Sequence, residues 1–245
     1  MRLNLYLSKA GVASRRKSDE LIFEGKVKVN NEVITAPGTI IDENKDSIYY
    51  NNKLLKIENL KYFIFNKPIN VVTTVKDPQK RKTVVHFFNK ESVRLFPVGR
   101  LDYDSTGLIF MTNDGDFSNK LMHPSKNKNK VYIATVNREL SKKDMNLFSK
   151  GIKIENKKTS NSQIKLLNKK GRTYNYKVII HEGMNRQIRK MFKYFNVRVI
   201  ELKRVEIAGV KLGNLKEGDY RKLTKHEYNK LMEIKWKQHL HWNYL

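Results

Sequence analysis

The stretch from Val98 to Gly115 constrains this chain more than any other. Within it a carboxylate, Asp102, lies between Arg100 and a glycine-flanked turn. The apolar run Leu108-Ile109-Phe110-Met111-Thr112 follows and ends in Asn113-Asp114-Gly115. A short apolar run closed by such a turn signal predicts a buried strand. Asp102 therefore stands at a strand–loop junction, where a rigid scaffold presents reactive groups. Locally, the same pattern also fits an acid that only caps a turn.

The chain has 245 residues, enough for one large domain or two modest ones with real cores. It carries 50 basic and 24 acidic residues, a net charge of +26. Such an excess favours a polyanionic partner. Lys, Asn and Ile crowd the whole chain, as an AT-rich genome would produce, so the placement of the cations weighs more than their number. The absence of cysteine removes disulfides, zinc-thiolate sites and thiol nucleophiles, and fits a reducing compartment such as the cytoplasm. The first residues form no apolar leader, and no window of roughly 18 uncharged apolar residues follows, so neither a secretory signal nor a membrane span is expected.

Residues 1–48 read as two short helices and a small strand pair. Leu3, Leu7 and Ala10 form one apolar stripe, and Gly11 stops that helix. Ser14 caps a second helix whose Leu21 and Ile22 face inward and which Gly25 ends. Lys26-Val27-Lys28-Val29 alternates at period two, Asn30-Asn31 turns, and Val33-Ile34 returns. Arg15, Arg16 and Lys17 occupy the first turn of the second helix, where cations oppose the helix dipole. A bound phosphate would resolve that conflict; a solvated basic turn is the plain alternative. Residues 49–60 read as a short linker.

From residue 61 to 245, strands and helices mix without a regular βαβ beat. Strands are predicted at Tyr62–Phe65, Val71–Val75, Leu108–Thr112, Val131–Val136, Tyr174–Ile180 and Val197–Leu202. Helices are predicted at Phe117–Met122, Lys142–Phe148, Arg186–Phe195 and Lys225–Trp236. The fold class expected is α+β, on a largely antiparallel sheet. No dinucleotide fingerprint, phosphate-loop lysine motif or H-E-x-x-H occurs, and the six histidines lack metal-ligand spacing. No cofactor and no metal is expected.

Two further segments stand out. In Lys130-Val131-Tyr132-Ile133, Tyr132 points away from its apolar neighbours. Aromatics in strands commonly just pack, but a ring with a hydroxyl also suits a pyrimidine taken out of an RNA stack. In Asn185-Arg186-Gln187-Ile188-Arg189-Lys190-Met191-Phe192, Ile188, Met191, Phe192 and Phe195 form the buried stripe of a helix. Asn185 can cap it, and Arg186, Arg189 and Lys193 lie off the stripe as a basic face.

These three segments together resemble the motifs of the RNA pseudouridine synthases, in the branch that modifies ribosomal RNA at a single uridine. The resemblance runs from Met1 to about Glu227. The first 48 residues are similar to the S4 RNA-binding domain, in which the basic helix face contacts structured RNA. The resemblance implies that Asp102 is the catalytic acid, that Tyr132 is the tyrosine of the second motif, and that Arg189 is the base that pairs with the catalytic aspartate. An adjacent guanidinium would keep such a carboxylate ionised and in place. It implies RNA contacts by Arg15, Arg16, Lys17, Lys26 and Lys28, and by Arg100, Arg186 and Lys193. The reaction implied is isomerisation of uridine to pseudouridine, without redox change or external group. The wording of the motifs, including His123-Pro124, is most similar to the branch acting on large-subunit RNA. A small-subunit target, and a non-catalytic ribosome-assembly factor of the same fold, are the alternatives. The expected partner is ribosomal RNA or an assembling subunit, met by a monomer.

Asn31, Asn70 and Lys80 stand where relatives commonly carry glycine. Asn tolerates positive φ, whereas Lys80 implies an altered loop. The aromatic tail Trp236–Leu245 has no counterpart in the pattern.

Overall fold

The computed structural model describes residues 1–123 and 128–233. They sort into two units, one comprising Met1–Lys61 with Lys90–Leu95, the other Tyr62–Asn89 with the described residues from Phe96 onward.

The first unit begins with helices α1 (Leu3–Lys9) and α2 (Arg15–Phe23). The Ser14 side chain accepts a hydrogen bond from the Lys17 backbone, satisfying one of the free N–H groups at the start of α2. Gly11 and Gly25 follow the two helices with φ of 75° and 67°, the left-handed conformation that closes a helix. Leu3, Leu7, Leu21 and Ile22 are buried against Val27 and Ile48. The sheet beneath them holds β1 (Val27–Val29), β2 (Glu32–Ile34), β3 (Ile48–Tyr50) and β4 (Lys53–Leu54), in the order β2-β1-β3-β4. The linker expected over 49–60 is thus in large part not a linker. Val27 pairs with Tyr50 and Tyr49 with Leu54, so the segment completes the sheet. In the β1–β2 turn, Asn30 rather than Asn31 adopts the left-handed conformation, at φ 56°. Its side chain also accepts from Ser47 N and donates to Asp46, which fixes the turn without a glycine.

The second unit is built on a nine-stranded sheet. Its main path uses β5 (Tyr62–Lys67), β7 (Thr106–Thr112), β8 (Lys130–Val136), β11 (Gln163–Lys170), β12 (Thr173–Ile180), β13 (Val199–Ile207) and β15 (Tyr220–Lys222), in the order β11-β12-β8-β13-β7-β5-β15. The short strands β6 (Phe96–Val98) and β14 (Val210–Lys211) pair with β7 and β13. A small hairpin, β9 (Lys153–Ile154) and β10 (Lys157–Lys158), stands apart. All the ladders are antiparallel except β7–β13, which runs parallel.

β5 is buried along its whole length, because both faces of the sheet are covered there. Tyr62 and Ile64 pack with Phe117 of α3 (Gly115–Met122) and Leu231 of α6 (Lys225–Met232). Phe63 and Phe65 face Phe88 of a 3₁₀ turn (Val84–Phe88), and Phe63 also meets Tyr220. At the other end Phe148 of α4 (Lys142–Ser149) and Tyr176 pack on Phe192 of α5 (Gln187–Tyr194).

The fold is α+β as expected, with three local corrections. Val71–Val75 is not a strand. Thr74 N bonds back to Val72 O and bends the segment, which leaves only an isolated bridge between Val72 and Thr83. The eight residues of β11 were not predicted, because Asn and Lys disfavour strands and only Ile164 and Leu166 are half-buried. Lysines on such an edge strand discourage pairing with a second chain. Asn185 does not cap α5; its Oδ1 accepts from Lys190 Nζ, and Arg186 holds the cap position with φ 50°. The predicted extension of α6 to Trp236, the aromatic tail and Pro124 lie outside the described residues.

Candidate active site

The loop between β6 and β7 is anchored at each residue from Arg100 to Asp104. The carbonyl of Arg100 accepts from Arg204 at 3.4 Å. That of Leu101 accepts from the Thr73 hydroxyl at 2.8 Å, and that of Asp102 from Ser105 N at 3.1 Å. The Tyr103 carbonyl accepts from Asn70 N at 2.9 Å, and the Asp104 carbonyl from Arg189 at 2.7 Å. Asn70, where a glycine was expected, reaches that geometry in the left-handed region at φ 60°, and Lys80 adopts it at φ 57°. A backbone held in this way presents the half-buried Asp102 side chain with little freedom.

Asp102 lines a cleft of about 730 Å³, together with Tyr132, Arg186 and Arg204. That size lies within the roughly 300–1,000 Å³ of small-molecule sites. Tyr132 is buried on β8 and lies directly across the sheet from Arg204 on β13. Arg204 is buried, at 3% exposure. It donates to the Leu108 carbonyl at 2.7 Å and to the Tyr132 hydroxyl at 3.3 Å.

Arg189 lines up differently from the expectation. Its hydrogen bonds go to the carbonyls of Asp104 and Val199, and its Nε stands 3.3 Å from the Asp104 carboxylate. The ion-pair partner is therefore Asp104, not Asp102, because α5 approaches the loop at its far end. Arg186 makes a two-pronged bond to the same carboxylate, at 2.9 and 2.7 Å. Burial pushes the Asp104 carboxyl up, but the Arg186 hydrogen bond and the charges of Arg189 and Arg186 outweigh it, leaving it below its ordinary value. Arg189 is pulled below its own range by burial, with Asp104 opposing the shift.

Asp102 acts on its surroundings through the field. Its charge is felt by Lys67, Arg186 and Arg189. Lys67 is fully buried at the end of β5, donating to the carbonyls of Pro68 and Val71 at 2.9 Å each. Burial pulls its ammonium down to about 8 against the pull of Asp102 and Asp104. Lys67, Asp104 and Arg204 carry much of this geometry and were not singled out from sequence. A lysine at the end of the apolar run Tyr62-Phe63-Ile64-Phe65 is a usable signal, since buried lysines are rare without a task. Arg204 gave a weaker one, a lone guanidinium on an alternating strand.

Of the remaining candidates, Arg100 belongs to the loop and lines the cleft. Arg100 and Lys193 are exposed. In the first unit Arg15 and Arg16 are exposed at the start of α2, while Lys17 pairs with Glu20 and Lys26 with Glu24, each at 2.6 Å. Lys28 is half-buried and donates to Asn52. Among the described residues no group of His, Asp and Glu is arranged to hold a metal ion.

The RNA pseudouridylate synthase family matches residues 61–194, and the S4 domain matches residues 1–46. The chain is a member of the RNA pseudouridylate synthase family. The synthase is 44% identical over 235 residues to "Ribosomal large subunit pseudouridine synthase B" of Bacillus subtilis, covering 95% of this chain and 96% of that one. It is 35% identical over 239 residues to "Dual-specificity RNA pseudouridine synthase RluF" of Escherichia coli, covering 96% of this chain and 79% of the relative. A solved structure described as "Crystal structure of pseudouridylate synthase" superposes with a TM-score of 0.68 at 30% identity, covering 94% of the synthase and 99% of that chain. In the synthase the family match ends within α5, so it contains the Asp102 loop, Tyr132 and Arg189 but not Arg204.

Proposed function

We propose that this synthase isomerises a specific uridine of ribosomal RNA to pseudouridine, with large-subunit RNA as substrate and Asp102 as the group acting on the ribose. The observation that carries the reading is the anchored 100–104 loop, which presents Asp102 to a cleft shared with Tyr132. In the reaction the N1–C1′ bond breaks and its electron pair leaves with the uracil. The base turns, C5 bonds to C1′, and the proton on C5 departs. Asp102 would either attack C1′ or remove the 2′ hydrogen, and its pinned backbone serves both routes equally.

The target uridine must leave its stack, at a cost of a few kcal/mol when paired. Phosphate contacts offset that cost and set the register on the RNA. Arg15 and Arg16 of the S4 unit, Arg100 at the cleft and Lys193 on α5 are exposed and suited to this. Lys17, Lys26, Lys28 and Arg186 would contribute by exchanging their present partners for phosphate. Residues 1–48 thus bind RNA and those from 61 onward hold the chemistry. The chain acts as a monomer on ribosomal RNA or assembling subunits in the cytoplasm. Among the described residues, no helix is long and apolar enough to cross a membrane.

The test is release of tritium from ribosomal RNA labelled at C5 of uridine, comparing wild type with Asp102→Asn. Release by the wild type alone supports both the reaction and the role of Asp102. No release from free RNA or immature subunits by either protein favours an RNA-binding assembly factor.

A further inference from the structure

Arg204 is a buried cation without a carboxylate partner among the described residues. Its Nε–H is committed to the Leu108 carbonyl, and one Nη1 hydrogen bond reaches the Arg100 carbonyl, the first anchor of the Asp102 loop. The other contact of Nη1 is the Tyr132 hydroxyl oxygen at 3.3 Å, and Nη2 is buried without a partner. The guanidinium carbon also lies 5.9 Å from the centre of the Tyr132 ring. Every hydrogen bond that Arg204 makes goes to a neutral oxygen, two backbone carbonyls and a phenol, so none of these contacts pairs its charge. Leaving such a group in place is unfavourable unless it has a task.

The chemistry of the donor restricts what that task can be. A guanidinium has five N–H groups and no acceptor. Where it meets a tyrosine hydroxyl, the oxygen must accept, and the hydroxyl hydrogen must turn elsewhere. Tyr132 lines the same cleft as Asp102. We infer that Arg204 is a positioning residue that holds the Tyr132 hydroxyl as a hydrogen-bond donor directed into the cleft, while bracing the base of the Asp102 loop. The inference rests on the pseudouridylation reading above. When the N1–C1′ bond breaks, the departing uracil carries the electron pair, delocalised from N1 onto its two carbonyl oxygens. A fixed O–H donor is suited to that developing charge. Cross-strand pairing of Arg204 with Tyr132 sets the alignment before RNA arrives.

The experiment is a double-mutant cycle between Arg204→Met and Tyr132→Phe, read by single-turnover tritium release and, separately, by RNA affinity. Arg204→Met is expected to slow release by about 100-fold, the loss typical of a misplaced catalytic group, while the Kd for RNA stays within about threefold. In the Tyr132→Phe background the same change should slow release by less than about 10-fold, because the Tyr132 contact is already gone and only the brace on the Arg100 carbonyl is left to lose. Equal losses in both backgrounds would make Arg204 a structural residue and overturn the inference. So would full activity of Arg204→Met, or a loss of RNA affinity that accounts for the rate. Should Arg204→Met fail to fold by urea melting, Arg204→Lys keeps the buried charge and carries the same comparison. Wild-type protein without tritium release would instead refute the reaction itself, leaving the two failures distinct.

Discussion

Arg189 grips Asp104, not Asp102: its Nη2 donates to the Asp104 carbonyl at 2.7 Å, and its Nε lies 3.3 Å from the carboxylate of the same residue. With the Arg186 fork on the other side, Asp104 becomes the clasp between α5 and the loop that carries Asp102. Basic residues of the helix therefore act on the Asp102 carboxylate at one remove, by fixing its backbone and by field.

Breaking that clasp should misplace Asp102 without removing it. Asp104→Ala is expected to lower the single-turnover rate by about 10–100-fold, in the range that small misplacements of catalytic groups produce. RNA affinity should stay within about threefold, since the phosphate contacts remain. Rapid-quench kinetics beside a filter-binding titration would check both. An unchanged rate would mean that the loop is rigid without α5.

Lys67 gives the protein a pH signature. Its ordinary value is 10.5 and its folded value about 8. Between those limits the unfolded chain binds more protons than the folded one, so stability rises with pH across the window. At and below pH 8 the buried ammonium opposes folding by an amount on the order of 3 kcal/mol, relieved as pH climbs toward 10.5. Urea melts of wild type and Lys67→Met at pH 7.5 and 9.5 should show wild type gaining relative to the variant at the higher pH. A constant difference would place the Lys67 ammonium in a wetter setting than its burial indicates.

Gly107 is the point where β7 meets β13 in the one parallel ladder. Its φ is 105°, and a Cβ there would stand 2.2 Å from the Arg204 carbonyl oxygen. Both the backbone conformation and the close approach exclude a side chain. Gly107→Ala should destabilise the fold by about 2–4 kcal/mol, from overpacking together with left-handed strain. The shift of the urea midpoint measures it. Because Arg204 is displaced as well, residual folded protein should also turn over more slowly.

What was legible in the sequence followed from local chemistry. Gly11, Ser14 and Gly25 set the first two helices, and the period-two and period-3.6 patterns located β5, β8, β12 and α5 within a few residues. Asp102, Tyr132 and Arg189 were expected through motif resemblance; Asp102 and Tyr132 line one cleft, and Arg189 meets the same loop at Asp104. Pair identity was not legible. Asp102 and Asp104 differ by two positions, and only the approach direction of α5 decides which one Arg189 reaches. Lys67 and Arg204 lie on strands separated in sequence from the Asp102 loop, and only the sheet order β8-β13-β7-β5 brings their side chains near it. The segment Tyr49–Leu54, with its Asn51-Asn52 pair, fell within the expected linker. The structure uses that pair, with φ of 49° and 60°, as the turn of a hairpin.

The S4 unit supplies the last prediction. Arg15 and Arg16 are exposed in the first turn of α2, beside backbone N–H groups that only Ser14 partly satisfies, and neither has an acidic residue in the first turn to offset it. Their charges oppose the helix dipole unless an anion sits among them. Each phosphate they neutralise on structured RNA should add about 0.7–0.9 to the slope of log K against log salt. Arg15→Glu with Arg16→Glu is therefore expected to weaken RNA binding at low salt and to flatten that slope by about 1.4–1.8, two phosphates' worth. The rate of a saturated single turnover should be unaffected, because the cleft and its anchored loop are untouched. An affinity that follows the wild-type salt line throughout would show that this helix face stays solvated, and would move the electrostatic footprint of the RNA onto the second unit.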